Sequence, residues 1–117
     1  MRAILLVDHG SRRAEANEVV TVARAQLEAL GAAPLVGHAH LEIAPPSIAE
    51  GVEALIARGA TELFVQPWFL APGRHAEHDV PEAVRQALGD RPIPVAFGAP
   101  FGAAEELVAL VRRRAPW

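Results

Sequence analysis

Two histidines in this chain occupy positions where side chains can meet a ligand. His9 follows the run Leu5-Leu6-Val7-Asp8 and precedes Gly10, Ser11 and Arg12, and His75 follows Trp68-Phe69-Leu70-Ala71-Pro72-Gly73-Arg74. Each stands where an apolar, strand-like segment stops, close to a glycine and an arginine. Glu42 stands near the end of a third such run, Leu35 to Ile43. Two neutral imidazoles and a carboxylate are a sensible ligand set for a first-row divalent metal, with positions left open for water or substrate. The same groups serve for proton abstraction, because an unperturbed histidine titrates near pH 6.5 and is a free base at neutral pH. A hydrogen-bonded loop histidine is the competing reading for both His9 and His75.

The flanking residues suggest what such a site would meet. Arg12, Arg13 and Arg74 would make its rim positive, and the guanidinium fork of Arg12 and Arg74 suits carboxylates. In a strand His40 shares a face with Glu42, as a further ligand or, the favoured reading, as a histidine satisfied at the wall. His38 receives no role, His78 reads as a helix-start surface residue, and Asp8 reads as an orienting group for a loop or cap. Of Trp68 and Phe69, one is expected in the core and the other as a flat apolar platform.

Composition narrows the chemistry further. The chain has no cysteine, which rules out disulfides, thiol nucleophiles and thiolate zinc sites. All of its basic side chains are arginine, so a Gly-Lys-Ser/Thr phosphate loop, a Schiff-base lysine and a lysine base are unavailable. A formal net charge of -3 argues against a nucleic-acid partner, which calls for clustered basic residues. Arg112, Arg113 and Arg114 fit a helix end, where the macrodipole favours cations. The longest apolar runs fall short of the roughly 20 residues that span a bilayer, and no secretory pattern follows Met1-Arg2. Neither a membrane span nor a membrane partner is expected, and a cytoplasmic location is the default.

The elements that must position these residues alternate regularly. Residues 3 to 8 form a continuous apolar run suited to a strand buried on both faces. Ser11 is a plausible N-cap for a helix whose face carries Ala16, Val20, Ala23, Leu27 and Leu30, closed by Gly31. Leu35 to Ile43 is a second strand. Ser47 and Glu50 have the form of a capping box for a helix that buries Ile48, Val52, Leu55 and Ile56 and ends at Gly59. Thr61 to Leu70 is a third strand, followed by a loop from Ala71 to Glu77. Asp79 with Glu82 marks a third helix carrying Val80, Val84 and Leu88 up to Gly89, Pro92 to Phe97 a fourth strand, and Ala103 to Arg114 a last amphipathic helix with Ala104, Leu107, Leu110 and Val111. At 117 residues this is one domain, residues 1–117: an α/β fold with a four-stranded parallel sheet and helices on both faces. Parallel strands put all their carboxyl ends on one edge, so His9, Glu42 and His75 emerge together, where ligands bind in open α/β sheets.

The ordered set of motifs resembles the small, single-domain sirohydrochlorin chelatases. The resemblance is carried by His9-Gly10-Ser11-Arg12 with Glu15-Ala16-Asn17-Glu18, by Leu41-Glu42-Ile43-Ala44 with Pro46-Ser47-Ile48, and by Phe69 to His75 with Asp79-Val80-Pro81. It covers residues 1 to about 97. It implies the class II chelatase fold, one half of the tandem form, and the ATP-independent insertion of a divalent metal into sirohydrochlorin in cobalamin or sirohaem biosynthesis. It makes His9 and His75 the metal-binding, catalytic histidines and Glu42 their acidic partner, with Ser11, Arg12 and Arg74 at the tetrapyrrole substrate. His40 stands where the family more often has an apolar residue. The metal is substrate, with no permanently bound cofactor. Co²⁺ is favoured by the family's usual short-form role, and Fe²⁺ or Ni²⁺ are alternatives. A single copy resembles the short form, which builds its cleft as a homodimer. A metal carrier or sensor without chemistry is the rival reading. A phosphohistidine hydrolase fits poorly, because Asp8 stands where that family has arginine before His-Gly.

Overall fold

In the computed structural model, residues 1–117 are described, except for the side chains of His75 and Ala76. The element order is β1 (Arg2–Asp8), α1 (Ala14–Leu30), β2 (Leu35–His40), α2 (Ile48–Ala57), β3 (Glu62–Pro67), a π-helical turn (His75–Asp79), α3 (Val80–Leu88), β4 (Val95–Phe97) and α4 (Glu105–Arg114). The strands form one parallel sheet in the order β2-β1-β3-β4. The α/β alternation expected from the sequence is therefore the architecture observed.

The two faces of the sheet are packed unequally. Leu5, Val7, Ala39, Leu63 and Val65 meet Ile48, Val52 and Leu55 of α2 and Val80, Val84 and Leu88 of α3 in one large core. The opposite face holds a small cluster of Leu6, Val20 and Ala23, with Ile4, Leu27 and Trp68 beside it. Among the described residues, α1 alone packs on that side. Completely burying an aliphatic side chain of this size contributes about 1.5–3 kcal/mol, so the α2–α3 face carries most of the apolar stabilisation.

Several expected boundaries shift. The second strand ends at His40 instead of Ile43, because Ile43 has φ 73° and Pro45-Pro46 follows. The third is shorter at both ends, Glu62–Pro67, and the fourth is reduced to Val95–Phe97. The loop expected to run to Glu77 gives way at His75 to the π turn, which leads into α3; Asp79 is already helical and makes no side-chain cap. Ser11 is not the N-cap of α1: that position is Arg13, whose backbone N–H donates to the Ser11 hydroxyl at 3.0 Å. The buried stripe of α1 narrows to Val20 and Ala23 with Leu27 alongside, leaving Leu30 79% exposed. The capping box does form, with Glu50 N to Ser47 Oγ at 3.1 Å and Ser47 N to Glu50 Oε1 at 2.9 Å. These backbone and side-chain hydrogen bonds hold the Glu50 carboxyl below its usual range.

Candidate functional site

The carboxyl ends of β1 and β2 stay joined past the last ladder residues. Leu41 N donates to Asp8 O at 2.8 Å and Glu42 N to His9 O at 3.1 Å, which sets His9 and Glu42 side by side on one edge of the sheet. Gly10 makes this approach possible. Its φ is +88°, and a Cβ built there would fall on the carbonyl oxygen of Glu42, so a side chain is excluded by both conformation and space.

His9 is exposed, yet its ring has a support. It stacks on Phe69 with centroids 4.0 Å apart and planes 23° apart. Phe69 is buried in the core, so the core holds the plane of the imidazole. Such a pair contributes about 0.5–1.5 kcal/mol beyond its buried area. Phe69 is thus the core residue of the Trp68-Phe69 pair, and half-buried Trp68 is the one beside open space. Trp68 lines a cavity of ≈ 310 Å³ with Asp8, His9, Gly10, Ser11, Ala16, Asn17 and Val19, at the small end of ligand-pocket volumes of roughly 300–1,000 Å³.

The loop after His9 is clamped from within the first helix. Asn17 Oδ1 accepts from Ser11 N at 2.9 Å, and Asn17 Nδ2 donates to Ser11 O at 2.8 Å. Both polar ends of one amide grip both backbone groups of one residue. Ser11 is half-buried at the cavity wall, whereas Arg12 and Arg74 are exposed. Glu42 is exposed too, beyond the end of β2.

His40 is a satisfied histidine of the wall, the favoured of its two readings, and it is held by Asp8. It is 2% exposed, and its Nδ1 lies 2.5 Å from Asp8 Oδ1, on the face of the sheet toward α1. The register explains the pair, since Asp8 and His40 are direct cross-strand partners, as are Leu6 and His38. His38 Nδ1 lies 3.1 Å from Arg24 Nη1 of α1. Burial, then the Arg24 charge, then that of His40 lower the His38 pKa below its ordinary 6.5, with Asp8 opposing. His78 is exposed and pairs with Asp79 and Glu82.

Of the expected metal-face residues, His9 and Glu42 are brought together, whereas the side chain of His75 lies outside the described residues. Among the described residues no group of three His, Cys, Asp or Glu side chains converges on one point. Sequence reasoning missed three contributors: the Asp8–His40 pair, the Asn17 clamp and the Phe69 support. The first two had a signal, because a buried-strand aspartate demands a partner and an asparagine one helical turn past a loop can cap it. The Phe69 stack spans 60 residues of sequence and left none.

Comparison with known proteins gives a consistent picture. A sirohydrochlorin ferrochelatase of Priestia megaterium is 34% identical over 97% of this chain and 43% of its own length. A sirohydrochlorin cobaltochelatase of Sulfolobus acidocaldarius is 31% identical over 98% of this chain and 90% of its own. The crystal structure of the sirohydrochlorin chelatase SirB from Bacillus subtilis subspecies spizizenii, in complex with cobalt, matches with a TM-score of 0.88 and 37% identity, covering 97% of this chain and 49% of that one. The chain thus spans a little under half the length of the first of these relatives and of the SirB chain. The CbiX family model matches residues 3–116, which include the His9 loop, the Glu42 bend and the segment through His75, and the chain belongs to the CbiX family.

Proposed function

We propose that residues 1–117 act as one chelatase unit that inserts a divalent metal into sirohydrochlorin without ATP. The observation that carries this reading is the joined end of β1 and β2, where an exposed imidazole held flat on Phe69 lies beside Glu42, in a chain of a family whose members include sirohydrochlorin chelatases.

In this reading His9 and His75 hold the incoming metal, with Glu42 as their acidic partner. One of them accepts the protons that leave the pyrrole nitrogens; histidine suits this task, because a general base works best with a pKa near the working pH. Ser11, Arg12 and Arg74 receive the carboxylates around the macrocycle. The metal is a substrate, and Co²⁺ is favoured over Fe²⁺, because a relative that this chain covers over 90% of its length is a cobaltochelatase. Ni²⁺ is the remaining alternative.

A flat macrocycle needs two walls, and a ≈ 310 Å³ hollow on one domain supplies at most one. Two copies of the chain, related by a two-fold axis, provide the second wall. No described helix is long and apolar enough to cross a membrane, and the reading places the reaction in the cytoplasm.

The deciding experiment is an anaerobic absorbance time course with sirohydrochlorin and, separately, Co²⁺, Fe²⁺ and Ni²⁺, each against a blank without protein. Acceleration over the blank is expected, greatest with Co²⁺. Metal binding without any change in tetrapyrrole absorbance would transfer the assignment to a metal carrier.

A further inference from the structure

Two apolar residues stand exposed at the carboxyl edge of the sheet, each one residue past a group that builds the site. Ile43 follows Glu42 and is 62% exposed; Leu70 follows Phe69, on which His9 stacks, and is 66% exposed. Neither belongs to the two apolar clusters of the domain. Leu70 is held through its backbone: its carbonyl oxygen accepts from Gly102 N at 2.7 Å, and that of Phe69 accepts from Phe101 N at 2.9 Å. The chain thus fixes the position of Leu70 and leaves its side chain open to solvent.

Ile43 is held against its own backbone preference. Its φ is +73°, and Ala44 N donates to Glu42 O at 2.8 Å. A positive φ at the centre of a hydrogen bond between residues i and i+2 marks the rarer, strained form of the γ-turn. For a β-branched residue that φ is an outlier, whereas glycine or asparagine adopts it with less strain. The turn itself has a clear structural use. Its acceptor is the same Glu42 carbonyl that leaves no room for a side chain on Gly10, and Glu42 N donates to His9 O, so the turn helps to set Glu42 beside His9. The isoleucine side chain has no such use: it strains the turn and joins no core. Strain of this kind persists where function employs the residue.

We propose that Ile43 and Leu70 are apolar contacts for the face of the tetrapyrrole, holding the ring over His9 and Glu42. The proposal rests on the proposed function and adds the residues that take the ring itself. His9 and Glu42 address the metal and the pyrrole nitrogens, and the arginines address the carboxylates at the rim, which leaves the flat apolar face without a partner. Exposed aliphatic side chains supply that partner by removing its surface from water. Isoleucine is stiff at χ1, so little side-chain freedom is lost on binding. Contacts of this type carry no charge and no directed hydrogen bond, so they hold the substrate and the transition state alike. Their loss therefore shows in Kd and KM and leaves kcat nearly constant.

The test compares Ile43→Gly, Ile43→Asn, Ile43→Leu and Leu70→Asn with the wild type. Glycine and asparagine at position 43 keep the turn and remove the apolar surface, whereas leucine keeps the surface. Anaerobic fluorescence titration with metal-free sirohydrochlorin gives Kd, Co²⁺ insertion gives KM and kcat, and urea unfolding gives the midpoint. Ile43→Gly, Ile43→Asn and Leu70→Asn are each expected to raise Kd and KM about tenfold, with kcat changed by no more than about threefold. Ile43→Leu should restore most of the affinity lost in Ile43→Gly, and the urea midpoint of Ile43→Asn should not fall below that of the wild type. Unchanged Kd and KM in the glycine and asparagine variants would overturn the inference. A lowered midpoint in Ile43→Asn would do the same by making Ile43 a packing residue, and weaker self-association at unchanged Kd would give it to a contact between copies. Tetrapyrrole binding by the wild type without insertion would end the proposed function and leave this inference to be decided by the Kd values. No binding by the wild type would end both.

Discussion

Asp8 and His40 are cross-strand partners at the carboxyl ends of β1 and β2, with Oδ1 of the carboxylate 2.5 Å from Nδ1 of a ring that is 2% exposed. His9, next to Asp8, and Glu42, two residues past His40, belong to the candidate metal face. A buried polar pair therefore lies under the exposed site and ties together the two strand ends that present it.

This arrangement gives His40 a structural role. His40→Ala removes a buried ring and strips Asp8 of its partner, a combination expected to cost about 2–4 kcal/mol. Urea unfolding measures the loss. Calorimetric titration with Co²⁺, made where the variant is still folded, is expected to give an affinity within about threefold of wild type. A hundredfold loss of metal affinity would instead place His40 among the ligands.

Gly10 is the tightest point of the site. With φ +88° and the Glu42 carbonyl where a Cβ would stand, Gly10→Ala must push the two strand ends apart. A destabilisation of about 2 kcal/mol or more is expected, accompanied by loss of metal insertion in protein that is still folded. Unchanged insertion would show that the spacing of His9 and Glu42 does not matter.

His9 and Glu42 are both exposed, so their removal separates chemistry from folding. His9→Ala and Glu42→Gln are each expected to slow insertion about a hundredfold or more. The fold should survive with a change of no more than about 1.5 kcal/mol, the most that the Phe69 stack supplies. Insertion rates and urea midpoints of the same preparations decide the matter.

Stability should depend on pH through His38. Its folded pKa lies below the ordinary 6.5 because burial, Arg24 and His40 all oppose the charged ring. Between the folded and unfolded values the unfolded chain binds more protons, so stability rises with pH across that window. The contribution is complete above about 6.5 and is lost as pH falls through the folded value. His38→Gln should flatten this part of the profile, as read from urea midpoints between pH 5 and 7.5; an unchanged slope would assign the dependence to another group.

The alternation of strands and helices, the capping box at Ser47 and Glu50, and the gathering of His9 and Glu42 at one sheet edge could all be read from sequence. The physical reason is that each depends on local periodicity, on a spacing of three residues, or on the rule that parallel strands share a carboxyl edge. The motifs around His9, Glu42 and His75 also pointed to the family, because an ordered set of short segments is far more specific than any one of them. What only the tertiary structure decided was long-range: that His40 pairs with Asp8 across the two strands, that Phe69 backs His9 across 60 residues, and that α4, although amphipathic, buries none of its residues. Periodicity shows that a helix has an apolar face, and only the packed chain shows whether that face already has a partner.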